Sequence, residues 1–415
     1  MNFPTHLFHR VTSRGQFLAE LDGLRALAIL PVVLFHATLS IYLKGAAEQV
    51  SITGSDVFRS PLGWIVSHGF LGVELFFVIS GFVVTLPFAR FFLLANGAKP
   101  SLKAFYLKRL TRIEPPYLIA LVAFFVGVLV VAPENARVAD YIAGMFYLRT
   151  AFFGDEAWAF FISWSLEIEV QFYLLAPFLA SIFAVRKSAL RRTLLVAAIA
   201  LSSIYAAQVR CAHSEPAPLV GPLQHGSWLG AELSFFLIGL LCADFWVMRE
   251  ERTGVSTRSL RYDIAWLAGL TLIGGSYWLL ERSAWGIAPR LLGLFAITMA
   301  SFRARIVRRI LSFGLITCIG GACYTIYLFH FLCVSLFGRL LAPLTSTSFE
   351  HNVLLVALPF ALVVTLGCLC LFPFVERPFM SSEWPQLMAR ALSQRSPRLL
   401  GKLWDQPTSR TGLGS

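Results

Sequence analysis

The stretch from Gly69 to Ala89, GFLGVELFFVISGFVVTLPFA, decides the fold of this chain. Its residues are almost all apolar, and Glu74 is the one residue among them that carries a charge. A helix that crosses a bilayer needs about 20 such residues. The stretch therefore predicts a transmembrane helix with an acid inside it.

The rest of the chain repeats this pattern. Of its 415 residues, 57% are hydrophobic and only 14% are charged, whereas a soluble domain carries about 25% charged residues. We predict an all-α fold, a polytopic transmembrane helical bundle of about ten spans. The predicted spans are 22–43, 64–90, 115–132, 160–184, 194–210, 229–248, 262–281, 287–302, 314–341 and 353–374. Residues 141–153 are apolar but too short to span, which favours a half-inserted or interfacial helix.

Basic residues predict the orientation. Lysine and arginine outnumber the acids by 35 to 23 and give a net charge of +12. In a ten-span topology 26 of these bases lie on one side and seven on the other, while Arg25 and Arg290 lie within spans. Basic loops stay in the cytoplasm, so both termini are predicted to be cytoplasmic, in a multi-pass protein of the cell (inner or plasma) membrane. This distribution explains the bases better than nucleic-acid binding does.

Three parts are expected along the chain. Residues 1–20 form a cytoplasmic segment, because they lack the apolar core and cleavage site of a signal peptide. Residues 21–378 form the membrane domain, and residues 379–415 form a basic cytoplasmic tail that we expect to be poorly ordered. The seven cysteines show no CxxC pair or Cys/His ligand spacing, so neither a disulfide framework nor a metal site is predicted.

Four ionisable residues lie deep in predicted spans, where such residues are costly and usually functional. They are His36, Glu74, Glu169 and His330. Counted from the outer ends of their spans at roughly 1.5 Å per residue, all four fall within about 6 Å in depth. The sequence thus predicts one polar layer. The alternative is a set of separate polar residues bonded to neighbouring helices.

Basic residues near the cytoplasmic face form a second group. Arg25 precedes His36 by about three helical turns, so both side chains share a face about 16 Å apart. Arg109 and Arg112 also share a face if their segment is helical. Arg25 is expected at the cytoplasmic mouth of a path to His36, and Arg109 and Arg112 predict a site for an anionic ligand with phosphates. A snorkelling Arg25 and a purely topological basic cluster are the alternatives.

Six short motifs occur in order between residues 21 and 378. They are Leu21-Asp22-Gly23-Leu24-Arg25-Ala26 followed by His36, GFLGVELFFVISGF at 69–82, KRLTRIEPPY at 108–117, WSLEIEVQFY at 164–173, YTIYLFH at 324–330, and Glu376-Arg377-Pro378. Together they resemble the acyltransferase-3 family of integral membrane acyltransferases. The family usually has Asp at the position of Glu74, so here the acid is kept with one more methylene.

The resemblance implies transfer of an acyl group, often acetyl, from cytoplasmic acyl-CoA to a hydroxyl of a carbohydrate or glycoconjugate. The donor acyl-CoA is a substrate, and no tightly bound cofactor is expected. Acceptors within the family include lipopolysaccharide sugars, other polysaccharides, peptidoglycan, nodulation oligosaccharides and macrolides. The sequence does not choose among them.

A mechanism follows from the chemistry of this transfer. His36 is the predicted general base, because histidine titrates near neutrality. Glu169 or Glu74 is expected to orient its ring, as in a Ser-His-Asp triad. Tyr327 or His330 would stabilise the developing oxyanion. A direct attack by the acceptor needs no protein nucleophile, although Ser80 and Ser165 remain alternatives. The CoA phosphates are assigned to the basic group, Arg25, Arg109 and Arg112.

Two rival functions are open at this stage. A transporter or flippase of a lipid-linked or anionic solute would also use buried His and Glu residues, as a proton relay. A non-catalytic scaffold would not explain four ionisable residues at one depth.

The base distribution generates a test of topology. Reporter fusions at Gln49 and Glu215 are expected to be external and a fusion at Ser256 internal, as measured by paired phosphatase and fluorescence reporters. A cytoplasmic reporter at Glu215 would contradict the ten-span topology.

Overall fold

The computed structural model describes residues 18–44, 60–94, 97–153, 162–212, 228–253, 258–280, 286–381 and 384–393. Within these residues all regular secondary structure is helical, which confirms the all-α prediction. The helices are α1 (Ala19–Lys44), α2 (Pro61–Ser67), α3 (Leu71–Leu93), α4 (Leu102–Val131), α5 (Val138–Met145), α6 (Arg149–Phe153), α7 (Ser163–Leu179), α8 (Ser188–Ala212), α9 (Leu229–Thr253), α10 (Leu260–Leu280), α11 (Ile287–Ser301), α12 (Ile306–Leu311), α13 (Gly314–Gly321), α14 (Cys323–Phe337), α15 (Phe349–Val375) and α16 (Trp384–Ser393).

Eight helices in the described part of the chain are long and apolar enough to cross a bilayer. They are α1, α3, α4, α7, α8, α9, α14 and α15, with α7 and α14 continued by 3₁₀ turns. The predicted spans at 262–281 and 287–302 correspond to α10 and α11. With 15 residues, α11 is about 22 Å long, which is less than the roughly 30 Å of a hydrocarbon core. The polytopic bundle is confirmed, and eight helices meet the length and composition of a span.

The prediction of one continuous span at 314–341 is wrong. The chain breaks at Ala322, which ends α13 and begins α14. Hydropathy could not reveal this break, because both halves are apolar. A break leaves the first N–H groups of α14 without helical partners. Glu376 satisfies one of them, since its Oε2 accepts from Thr325 N at 3.1 Å and from Thr325 Oγ1 at 2.9 Å.

The short apolar segment after α4 turns back into the protein. Tyr117 Oη donates to the Gly144 carbonyl at 2.8 Å, and Tyr147 Oη donates to Glu114 Oε2 at 2.9 Å. Tyr117 precedes the end of α4 by 14 residues, or about 21 Å. Helices α5 and α6 therefore fold back beside α4, and the choice between a half-inserted and an interfacial position stays a prediction.

Glycines bring the central helices close together. A Cβ on Gly72 of α3 would overlap the Ala28 carbonyl of α1, and one on Gly81 would overlap the Phe236 carbonyl of α9. Small residues allow such contact between helices in a membrane. Helices α1, α3 and α9 accordingly form the buried centre, while α8 is mostly exposed along its apolar window.

The predicted terminal segments are only partly described. Residues 1–17 and 394–415 lie outside the described residues. Within the tail that the sequence predicted to be poorly ordered, α16 is a helix. Its Trp384 Nε1 donates to the Thr111 carbonyl at 2.8 Å, so this part of the tail is attached to α4.

Substitution of Gly320 tests the packing at the helix break. A methyl group there would overlap the Asp22 carbonyl, and overpacking of this kind costs about 1–3 kcal/mol. We expect Gly320→Ala to lower the thermal unfolding midpoint in detergent. The matched control is Gly367→Ala, where nothing lies within 4 Å of the added carbon and the midpoint should stay or rise. Equal midpoints for the two variants would contradict this packing.

Candidate functional site

A cavity of about 680 Å³ opens between α1, α3, α4, α7 and α14. It extends along α3 from Arg90 to Val73, a distance of about 26 Å at the helical rise. One end carries the bases of the loops predicted to be cytoplasmic, and the other end is mainly apolar. Eight charged side chains line it: Asp22, Arg25, Arg90, Lys108, Arg109, Arg112, Glu169 and Glu376. The three arginines that the sequence singled out therefore share one cavity.

Two of these arginines have carboxylate partners. Arg25 Nη1 lies 2.5 Å from Asp22 Oδ1, one turn away on α1. Arg112 Nη2 lies 3.9 Å from Glu376 Oε1. The second contact joins α4 to the residue that caps α14, so Glu376 is a site residue that the sequence analysis quoted only as part of a motif.

Arg109 differs from both. Its guanidinium carbon lies 4.1 Å from the ring centroid of Phe105 and 5.6 Å from that of Tyr173. Among the described residues it forms no ion pair, and its Nε is buried without a hydrogen-bond partner. The cavity thus has a cation that lies beside two aromatic rings and, among the described residues, has no carboxylate within ion-pair distance.

Glu169 lies in the cavity wall, away from His36. Ser80 Oγ and Tyr173 Oη both donate to Glu169 Oε1. The contact from Ser80 joins α3 to α7, while Tyr173 lies one turn from Glu169 on α7 itself. Tyr173 was part of a quoted motif, but nothing in the sequence showed that it would hold the acid.

Glu74 belongs to a different group. Its Oε1 accepts from Arg290 Nη1 at 2.9 Å and from Tyr277 Oη at 3.0 Å. The Arg290 guanidinium also lies 3.8 Å from the Tyr277 ring centroid. Glu74 therefore ties α3 to α10 and α11. The sequence indicates that Arg290 lies within an apolar span and needs a charged partner. Only the packing of the helices shows that this partner is Glu74.

The two predicted histidines do meet. His36 Nδ1 lies 2.9 Å from His330 Nε2, and both rings are buried. The partner expected for His36 was a carboxylate. In the described part of the chain that position is taken by His330 instead, while Glu74 and Glu169 form the separate groups above. The predicted polar layer is thus a histidine pair with two acids elsewhere.

Tyr327 lies between the cavity and the histidine pair. Its side chain lines the cavity, and its ring centroid is 5.8 Å from that of His330. Tyr327 Oη lies 2.5 Å from Ser165 Oγ and donates to the Ile162 carbonyl at 2.9 Å. Phe76 packs edge-on against the same ring. Of the two predicted oxyanion donors, Tyr327 is the one that reaches the cavity.

Comparison with known proteins shows that the chain is similar to acyltransferases. Residues 18–372 match the family described as "Acyltransferase domain". The peptidoglycan O-acetyltransferase OatA of Listeria monocytogenes is 25% identical over 88% of this chain and 56% of its own length. The O-acetyltransferase OatA of Staphylococcus aureus is 30% identical over 39% of this chain and 24% of its own length. The chain thus spans little more than half of the length of the Listeria protein. No solved structure matches the chain.

Proposed function

Because the chain belongs to the acyltransferase-domain family, we propose that it transfers an acyl group, with acetyl as the proposed group, from cytoplasmic acyl-CoA to a hydroxyl of a carbohydrate or glycoconjugate. The observation that carries this proposal is the guanidinium of Arg109, which forms no ion pair with the described residues, in a cavity that extends towards a histidine pair. The names of the two relatives support acetyl as the group, and the name of the Listeria protein supports a glycan such as peptidoglycan as the acceptor.

The donor end of the cavity suits an anionic, elongated substrate. A volume of about 680 Å³ lies within the usual 300–1,000 Å³ of small-molecule sites. The guanidinium of Arg109 can form two parallel hydrogen bonds to a phosphate. Arg25 and Arg112 are already paired with Asp22 and Glu376. We therefore assign the main phosphate contact to Arg109 and a supporting electrostatic role to the other two arginines.

His36 is the proposed base for the acceptor. The acceptor oxygen attacks the thioester carbonyl, the C–S bond breaks, and His36 takes the hydroxyl proton. The CoA sulfur leaves as a thiolate and receives a proton from the solvent at the open end of the cavity. Tyr327 is positioned to donate to the carbonyl oxygen if it releases the Ile162 carbonyl. Since Tyr327 separates the cavity from His330, its side chain has to turn aside for the acyl group to reach His36.

Arg109→Ala is expected to raise the KM for acetyl-CoA by about 10- to 100-fold, since hydrogen bonds to charged groups contribute about 1.5–3 kcal/mol. Arg109→Lys should recover part of the lost affinity for acetyl-CoA, because lysine keeps the positive charge but lacks the guanidinium that bonds a phosphate through two nitrogens. The measurement is thiol release from acetyl-CoA by protein in liposomes. Lys103→Ala is the matched control, because Lys103 is an exposed base on the same helix. Equal KM values for Arg109→Ala and Lys103→Ala would refute the assignment.

His36→Gln is expected to lower kcat by about 10²- to 10⁴-fold, which is the usual contribution of a general base. Glutamine keeps polar contacts but cannot take the proton. Acetyl transfer to surface glycans, measured as alkali-labile acetate, should fall while acetyl-CoA binding is retained. His351→Gln, which changes a histidine near the start of α15, is the control. A near wild-type rate for His36→Gln would show that the base lies elsewhere.

A further inference from the structure

The contacts of His330 fix where its proton lies. His330 Nδ1 lies 2.8 Å from the Tyr327 carbonyl and 3.0 Å from the Ile326 carbonyl, both in the preceding turn of α14. Carbonyl oxygens only accept hydrogen bonds, so Nδ1 must carry the hydrogen that it donates. In the neutral ring the other nitrogen, Nε2, then holds a lone pair and acts as an acceptor.

The same reasoning extends to His36. Its Nδ1 lies 2.9 Å from His330 Nε2, and that nitrogen can only accept. His36 Nδ1 must therefore carry a hydrogen as well, which leaves the lone pair of His36 on Nε2. In the described part of the chain no side chain bonds to this Nε2.

Building on the proposed function, we propose that His330 is the positioning residue of the reaction, which holds His36 in the tautomer whose Nε2 is the basic atom. The helix backbone sets the direction of the whole chain of hydrogen bonds, from the carbonyls of α14 through His330 to His36. A carboxylate does this in a Ser-His-Asp triad. Here a neutral imidazole does it, and among the described residues no carboxylate contacts the base.

The arrangement gives the transferred proton a second place to reside. When His36 Nε2 takes the acceptor hydroxyl proton, the Nδ1 hydrogen of His36 can shift to His330 Nε2. His330 then carries hydrogens on both nitrogens, and its Nδ1 still donates to two carbonyls. One proton enters at His36 and one positive charge is shared by the pair, so the step balances without a further group. The geometry also removes His330 as an oxyanion donor, because its Nε2 is an acceptor towards His36.

Nitrogen NMR of the intact protein tests the tautomers directly. We would label the histidines with ¹⁵N, place the protein in lipid nanodiscs near pH 7.5, and identify the two signals by their loss in His36→Gln and in His330→Gln. The expected spectrum shows both rings neutral, each with hydrogen on Nδ1. A ring with hydrogen on Nε2 alone, or an imidazolium, would overturn the proposal. This readout needs no turnover, so it is independent of whether the acyl-transfer function is correct.

Kinetics of His330 variants supply the second test. His330→Leu removes the acceptor for His36 Nδ1–H, and we expect kcat to fall by about 10- to 100-fold, as for the outer partners that orient metal-bound histidines. The KM for acetyl-CoA should not change, since His330 does not line the cavity. His330→Gln offers an amide oxygen in place of Nε2 and should recover part of the loss. An unchanged kcat in His330→Leu, or a rise in KM without loss of kcat, would overturn the positioning role.

Discussion

In the hydrocarbon of a bilayer a carboxylate or guanidinium has no water to solvate it, so each must find its partner within the protein. The pair of Glu74 with Arg290 shows how this requirement shapes the fold, because it joins α3 to α11 at one point. Asp244 of α9 joins α9 to α8 at the end predicted to be cytoplasmic, where it contacts both Arg191 and Arg192. Removing one partner of such a pair costs about 3–5 kcal/mol. The helices are therefore held in register by ion pairs as well as by close glycine contacts.

Arg109 and His36 differ from these ion-paired residues, because in the described part of the chain neither contacts a carboxylate within ion-pair distance. Arg109 has aromatic rings beside it where Arg25 and Arg112 have acids. His36 has one ring nitrogen bonded to His330 and, in the described part of the chain, nothing bonded to the other. These two groups lie at the basic end of the cavity and beyond its apolar end. Under the proposed function, a phosphate of the donor binds at Arg109 and a hydroxyl of the acceptor binds at His36.

Much of this fold could be predicted from the sequence, because the length of an apolar run and its flanking bases report directly on a spanning helix. The depth of a residue also follows from the helical rise, which is why His36 and His330 were placed at one level. The rotation of each helix about its own axis cannot be derived from a single amino-acid sequence. Glu74 and Glu169 were therefore assigned to His36, although they turn towards Arg290 and towards Ser80 and Tyr173. The break at Ala322 was not predicted for a related reason. Hydropathy carries no information on close contact between helix backbones.

The separation between the cavity and the histidine pair has a mechanical consequence. It consists of the ring of Tyr327, with Phe76 against it, and not of a layer of helices. Rotation of a side chain changes little of the cross-sectional area that a protein occupies in the bilayer, whereas rocking of helical bundles changes it considerably. Lateral pressure and lipid chain length act on such area changes. If the acyl group passes Tyr327 as proposed, that step should accordingly be insensitive to the thickness and tension of the surrounding membrane.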